Sequence, residues 1–330
     1  MRVTLKDIAE QTGLALSTIS MALNDHPHIN VETKQRVRQA ALALNYRPHP
    51  AARALARKKT SLIGLVIQNV MSSFYPEIIQ GVEDVAVEQS LSTILCNTND
   101  LATKEVEYLA TLIDKRVDGI ILEPHNSQHD REQIERIQRH GIPLITILRR
   151  YPDLDFPAVV VDNESGAYAA TRYLVERGHR RIGHLRGPEH ADTTEPRLRG
   201  YHRALRSAGI EPGPQWSVDC EFNPDSGRQG MARLLDQFEG MTAVFAASDI
   251  IAMGAISELQ QRRIEVPEQV SVVGFDGLFF GQLVQPTLTT VNQPRYEIGE
   301  LAARMLLQCI ERRPVESVTL QPRLIIGTSA

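Results

Sequence analysis

From residue 61 onward, short apolar runs alternate with longer amphipathic ones, and this alternation restricts the fold more than any other feature of the chain. The runs Leu62–Ile67, Ser92–Cys96, Gly119–Leu122, Leu144–Leu148, Ala158–Val161, Ile182–Leu185, Ala243–Ala246 and Ser271–Gly274 read as strands. Helical patterns lie between many of them, for example at 74–89, 103–115, 130–140, 164–177, 197–208, 226–238, 249–262 and 295–312. Strand–helix alternation demands parallel sheets covered on both faces. This many strands suit two doubly wound subdomains better than one. No uninterrupted apolar stretch approaches the ~18 residues needed to span a bilayer.

The first 60 residues differ in kind. They hold ten Lys/Arg against four acids, a net charge of +6, whereas the rest of the chain carries −10 within a total of −4. A small basic head on a large acidic body suits a polyanion met by the head alone. Thr4-Leu5-Lys6-Asp7 has the form of a capping box, and Leu5, Ile8 and Ala9 follow on one helical face. Gly13 marks the stop of that helix. A second helix fits Leu16 to Asn24, and a third fits Val31 to Asn45, entered at Asn30. Three short helices joined by tight turns make a helix-turn-helix plan, whose second helix enters the major groove. Tyr46-Arg47-Pro48-His49-Pro50 then forbids helix through 47–49. The alanine-rich segment that follows has high helix propensity but only about two turns, too short to be stable undocked.

Val3-Thr4-Leu5-Lys6-Asp7-Ile8-Ala9, Ser17-Thr18-Ile19-Ser20, Ala22-Leu23-Asn24, Asn45-Tyr46-Arg47-Pro48 and Ala52-Arg53-Ala54-Leu55 closely resemble the head of the lactose-repressor/galactose-repressor family of bacterial transcription regulators. The resemblance runs along nearly the whole chain. It implies a helix-turn-helix domain over 1–48, a hinge helix and linker over 49–60, and a two-lobed periplasmic-binding-protein-like α/β body over 61–330. The first lobe is expected to take about 61–161 and 293–321, the second about 162–292 and 322–330. The residues expected at DNA are Thr4, Leu16, Ser17, Thr18, Ser20, Met21, Asn24, Arg53 and Leu55. Hydroxyls would donate to phosphates or bases, and Leu16 and Met21 would press on thymine methyl groups. By resemblance, Leu55 wedges into a central base step and bends the duplex. Two positions depart from the family: Ala15 stands where Ser commonly caps the recognition helix, and Met21 where Arg is frequent.

Folds of this type bind ligands outside the carboxyl ends of their strands. The expected effector residues are Phe74, Tyr75, Asn97, Arg149, Thr193, Arg197, Phe222, Ser248 and Asp276. Aromatic faces would cover a sugar ring, while Asp and Arg fork hydrogen bonds to its hydroxyls. Phe74, Arg197 and Asp276 match the family's effector positions, and Asp249 is read as a cap of the helix that follows it. Leu148 replaces a frequent Asp and precedes Arg149-Arg150. That substitution favours an anionic effector, unless both arginines are solvated surface.

The expectation is a homodimeric repressor of carbohydrate-utilisation genes, binding a pseudo-palindromic duplex under control of a sugar-like effector. The alternatives are a nucleobase-responsive corepressor-type regulator and a sugar-binding transport receptor. Lys6, Asp7 and Glu10 stand where an export signal would need an apolar run, so the expected compartment is the cytoplasm. No heptad helix follows Leu324–Ile326, which favours a dimer over a tetramer. No enzyme motif of the GxGxxG, P-loop or GxSxG kind occurs. His125 and His129 lie in a loop without a Cys/His cluster, and no metal or cofactor is expected. Cys96, Cys220 and Cys309 are read as reduced thiols.

Overall fold

The computed structural model describes residues 3–46, 60–125, 131–151, 154–189 and 191–330. Asp7 accepts from the Thr4 backbone N–H at 2.6 Å and from its hydroxyl at 2.8 Å, which starts helix α1 (Leu5–Thr12). Gly13, at φ 67°, ends it and returns its N–H to the Ala9 carbonyl. Helix α2 (Leu16–Leu23) begins at Ala15 with no side-chain cap, whereas α3 (Val31–Ala43) begins at Asn30, which accepts from the Thr33 N–H at 2.7 Å. Ile8, Ile19, Ala22, Val37, Ala40 and Ala41 form the small core of these helices. Each large aliphatic in it contributes about 1.5–3 kcal/mol. Arg36 donates to the Thr12 carbonyl at 2.6 Å, a cation at the negative end of α1. This head is one compact unit, and the chain from Leu62 to Ala330 is another. The hinge segment expected over 49–60, with Arg53 and Leu55, falls almost wholly outside the described residues.

The described residues of the body form two six-stranded sheets. In the first, β1 (Leu62–Ile67), β2 (Ser92–Asn97), β3 (Gly119–Leu122), β4 (Leu144–Ile147), β5 (Ala158–Val161) and β11 (Val318–Leu320) are all parallel, in the order β11-β5-β4-β3-β1-β2. In the second, β6 (Ile182–Arg186), β7 (Ser217–Asp219), β8 (Ala243–Ala246), β9 (Ser271–Asp276), β10 (Thr289–Asn292) and β12 (Arg323–Ile325) take the order β12-β10-β9-β8-β6-β7, with β12 alone antiparallel.

Side-chain alternation explains why both faces are covered. Ile63, Leu65 and Ile67 of β1 bury against α4 (Pro76–Glu88) and α11 (Arg295–Ile310), while Val66 faces α5 (Ala102–Asp114) and α6 (Arg131–Arg139). In the second sheet, Phe245, Val273 and Phe275 bury against α7 (Asn163–Glu176) and α8 (Thr194–Ser207). Val244 and Val272 face α9 (Pro224–Gln237) and α10 (Asp249–Gln261). The chain passes between sheets after Val161, after Asn292 and after Leu320. Thr289–Asn292 and Val318–Leu320 are strands that the sequence pattern did not mark. Both are short and threonine-bearing, and sheet partners rather than local hydrophobicity hold them. No helix among the described residues is long and apolar enough to cross a membrane.

Candidate functional site

In the head, α2 buries Ile19 and Ala22, packs Leu23 against the same core and leaves Leu16, Ser17, Thr18, Ser20 and Met21 at least partly exposed. Leu16 is 44% exposed, Ser17 and Asn24 are exposed, and Thr18, Ser20 and Met21 are half-buried. One helix therefore presents hydroxyls, an amide and two apolar side chains together, the functional groups that read base edges. Two of the expected contacts have local duties: the Thr4 hydroxyl is bonded to Asp7, and the Asn24 amide donates to the Ser20 carbonyl at 2.9 Å. The basic surplus is likewise partly committed. Lys34 and Arg38 share Asp25, at 3.0 and 3.2 Å.

In the body, the carboxyl ends of both sheets open on a cleft of about 150 Å³. Ser72, Phe74, Tyr75, Leu148, Arg149 and Val161 line it from the first lobe, and Thr193, Arg197, Phe222, Ser248, Ile250, Asp276 and Leu278 from the second. Gln68, Glu123, Asn163 and Gln293 complete the lining. The sequence reading missed Ser72, Val161, Ile250 and Leu278, and it missed these four polar residues as well. Each stands just before or one or two residues beyond the end of a strand or the start of a helix, a signal the strand-end rule could have supplied.

Arg197 and Asp276 form the charged heart of the second-lobe wall. Arg197 is 3% exposed and lies 3.8 Å above the Phe275 ring. Its Nε donates to Asn163 Oδ1 at 2.9 Å, its Nη1 to the Ala247 carbonyl, and its Nη2 lies 3.6 Å from Asp276 Oδ1. Gln293 Nε2 donates to the same Asp276 oxygen at 2.8 Å. Burial raises the Asp276 pKa, against the pull of Arg197. The Asp276 backbone sits at φ 115°, a conformation costing about 1–3 kcal/mol for a non-glycine residue.

The first-lobe wall is built around Glu123. It is 3% exposed, and burial pushes its pKa up to about 7, opposed by Arg149 and by the Tyr75 hydroxyl that donates to it. Leu148, at φ 63°, is the centre of a γ-turn closed by the Arg149 N–H on the Ile147 carbonyl at 2.7 Å. That turn carries Arg149 into the cleft lining. There its Nη2 donates to Gln68 Oε1 at 3.2 Å, and its Nε lies 3.9 Å from both Glu123 and Asp192.

Three expectations change as a result. Asn97 stands outside the lining; its side chain braces the 69–99 loops, accepting from the Val70 N–H at 3.1 Å and donating to Asn99 at 2.7 Å. Asp249 does not cap its helix. Ser248 does, accepting from the Ile251 N–H at 3.2 Å, while the buried Asp249 accepts from the Leu278 N–H at 2.6 Å and from the Thr290 hydroxyl. The argument for an anionic effector also weakens, because Arg149 already faces two carboxylates and Arg150 is exposed. The three cysteines are free thiols, and Cys96 and Cys220 are buried.

Comparison with known proteins follows the same division of the chain. Residues 4–49 match the family described as bacterial regulatory proteins, lacI family, and residues 171–330 match the periplasmic binding protein-like domain. The HTH-type transcriptional repressor PurR of Edwardsiella ictaluri is 36% identical over 98% of this chain and 95% of its own. A solved complex of the transcriptional regulator CelR with cellobiose superposes with a TM-score of 0.75, at 29% identity and full coverage of both chains. The lac repressor dimer bound to operator and the anti-inducer ONPF gives a TM-score of 0.87 at 24% identity, over 100% of this chain and 99% of that one, a likeness of fold.

Proposed function

The chain belongs to the lacI family of bacterial regulatory proteins and is a DNA-binding transcription regulator; we propose that an uncharged, sugar-like molecule in its cleft sets its affinity for operator DNA. Its relatives are regulators, not enzymes. The observation that carries the effector reading is the pairing of buried Arg197 and Asp276 in a cleft with aromatic walls at Phe74 and Phe222. Such a wall stacks on the apolar face of a ring and divides its hydroxyls between a donor fork and an acceptor. Charge balance supports an uncharged ligand, since Arg149 and Arg197 each face a carboxylate. CelR, which is bound to cellobiose in its solved complex, has the same fold throughout.

Leu16, Ser17, Thr18, Ser20 and Met21 read the major groove in this proposal, and Leu55 of the segment joining head to body enters the minor groove. The working unit is a homodimer on a pseudo-palindrome. Exposed Phe279, Phe280 and Leu283 on the second lobe supply apolar surface that a second copy would cover. Its action on operator DNA supports a cytoplasmic location in this proposal. Domain limits at 48 and 60 separate head, hinge and body. Effector and operator binding are coupled by one free energy, so each alters the affinity of the other by the same factor.

Duplexes selected from a random pool, then used in gel shifts with and without a panel of neutral sugars and nucleobases, test the proposal. Selective binding that weakens steeply with salt and responds to a neutral sugar supports it. A response to nucleobases alone would transfer the effector assignment to that class. Equal affinity for selected and random duplexes would end the regulatory reading.

A further inference from the structure

Arg295 opens α11 in the first lobe and is not part of the cleft lining, yet its guanidinium, 3% exposed, reaches the second lobe. Nη1 donates to the Asp276 carbonyl and Nη2 to the Gly277 carbonyl at 3.0 Å. Nη2 also lies 2.6 Å from Glu77, in the first turn of α4. The guanidinium is 6.0 Å from the Phe74 ring. A cation in the first turn of a helix opposes the macrodipole, so helix stability does not account for an arginine here. Its contacts do. Helices α4 and α11 cross so closely that a Cβ on Gly81 would stand 2.3 Å from the Tyr296 carbonyl oxygen, and one on Gly299 2.0 Å from that of Ile78. That crossing brings the N-terminal turns of the two helices together and places Glu77 beside Arg295.

The two carbonyls held by Arg295 belong to the backbone that carries Asp276. Asp276 is at φ 115° and Gly277 at φ 71°, a run that needs outside restraint to persist. We propose that Arg295, held by Glu77, is the positioning residue that fixes Asp276 in this conformation and ties the wall bearing Asp276 to the wall bearing Phe74. The inference rests on the cleft being the effector site. An effector stacked on Phe74 and bonded to Asp276 then meets two lobes already set at a fixed separation. Any change in their relative pose must first strain the bonds from Arg295 to the Asp276 and Gly277 carbonyls, which Glu77 braces from the first lobe, and this makes Arg295 part of the coupling between effector and head.

Hydrogen–deuterium exchange on the full chain without ligand tests this. The Gly277 N–H donates to Thr290 and the Leu278 N–H to Asp249, so both amides report on this backbone. Glu77 is half exposed, and Glu77→Gln leaves the fold intact while removing the tether charge. Exchange at Gly277 and Leu278 should rise at least ten-fold, with less than a two-fold change at Phe245 and Val273 in the same sheet. Arg295→Lys, which keeps the charge and loses the fork, should give the same local rise. Wild-type exchange at Gly277 and Leu278 in Glu77→Gln overturns the proposal, as does a rise spread evenly through the second lobe. If Arg295→Lys fails to fold, Glu77→Gln decides alone. Failure of the effector reading would appear separately, as unchanged ligand binding in Asp276→Asn, a substitution that leaves the carbonyls held by Arg295 in place.

Discussion

Asp276→Asn should separate ligand binding from folding. The substitution keeps the side-chain volume, and the 2.8 Å bond from Gln293 survives with the amide oxygen in the place of Oδ1. What disappears is a negative charge 3.6 Å from Arg197 Nη2. At an effective dielectric of about 20, a pair at that distance attracts by roughly 4–5 kcal/mol. Taking the carboxylate out of water costs several kcal/mol in the other direction. The raised pKa of Asp276, with burial as its first cause, marks desolvation as the larger effect. Relief of that desolvation offsets part of the lost attraction, and Arg197 keeps its bonds to Asn163 and the Ala247 carbonyl, so the unfolding free energy at pH 7 should fall by less than the roughly 3–5 kcal/mol that a buried charge left without any partner costs. Binding has no such compensation. A ligand hydroxyl donating to a carboxylate gains about 1.5–3 kcal/mol, a loss of roughly 10- to 150-fold in affinity when the acceptor becomes an amide. Calorimetric titration with the sugar that shifts operator affinity, beside guanidinium denaturation of the same preparations, measures both quantities. Affinity within two-fold of wild type would refute the assignment of Asp276 to the effector. A stability loss above about 3 kcal/mol would refute the charge argument.

Other substitutions probe other parts of the structure. In Gly299→Ala the new Cβ would stand 2.0 Å from the Ile78 carbonyl oxygen, so α4 and α11 must move apart. Overpacking of this kind costs about 1–3 kcal/mol, and an unchanged melting temperature would contradict the close crossing. Glu123 gives a pH dependence of definite sign. Its carboxyl, pushed from 4.5 up to about 7, keeps its proton in the folded chain after the unfolded chain has lost it. Its contribution to stability is therefore complete below about 4.5 and falls as pH rises toward 7, by up to about 3 kcal/mol. Denaturation at pH 5 and pH 7 should show that slope in the wild type and a shallower one in Glu123→Gln, where Asp249 and Asp276, whose pKa burial also raises, still titrate. In the head, Ala15→Ser supplies the cap that α2 lacks, worth about 1 kcal/mol. Amides of α2 should then exchange about five-fold more slowly, and equal exchange would mean that the serine hydroxyl does not reach the helix.

Most of the architecture is legible along the chain because its signals act over a few residues. A capping hydroxyl, an apolar face or a terminal glycine needs only its near neighbours, so Thr4, Gly13 and Asn30 mark their helices before any folding is considered. The alternation after residue 61 demands two covered sheets for the same reason. Phe74, Arg197 and Asp276 were also visible, as residues in a loop after a strand, in the first turn of a helix and at a strand end, each matching a known pattern. The tertiary structure decided what local signals cannot carry: which strand ends converge. Asn97 ends β2 and Gln68 directly follows the adjacent β1, yet only Gln68 faces the cleft. Arg149 looked like spare positive charge until the fold brought Gln68, Glu123 and Asp192 to it. Asp249 looked like a cap until β10 and the Leu278 loop closed over it. Glu77 and Arg295, more than two hundred residues apart, meet only because paired glycines let two helices touch. Helix caps and strand faces follow from short-range sterics and hydrogen bonding, while the charge balance of a buried site follows from strand order and helix packing, which no local stretch encodes.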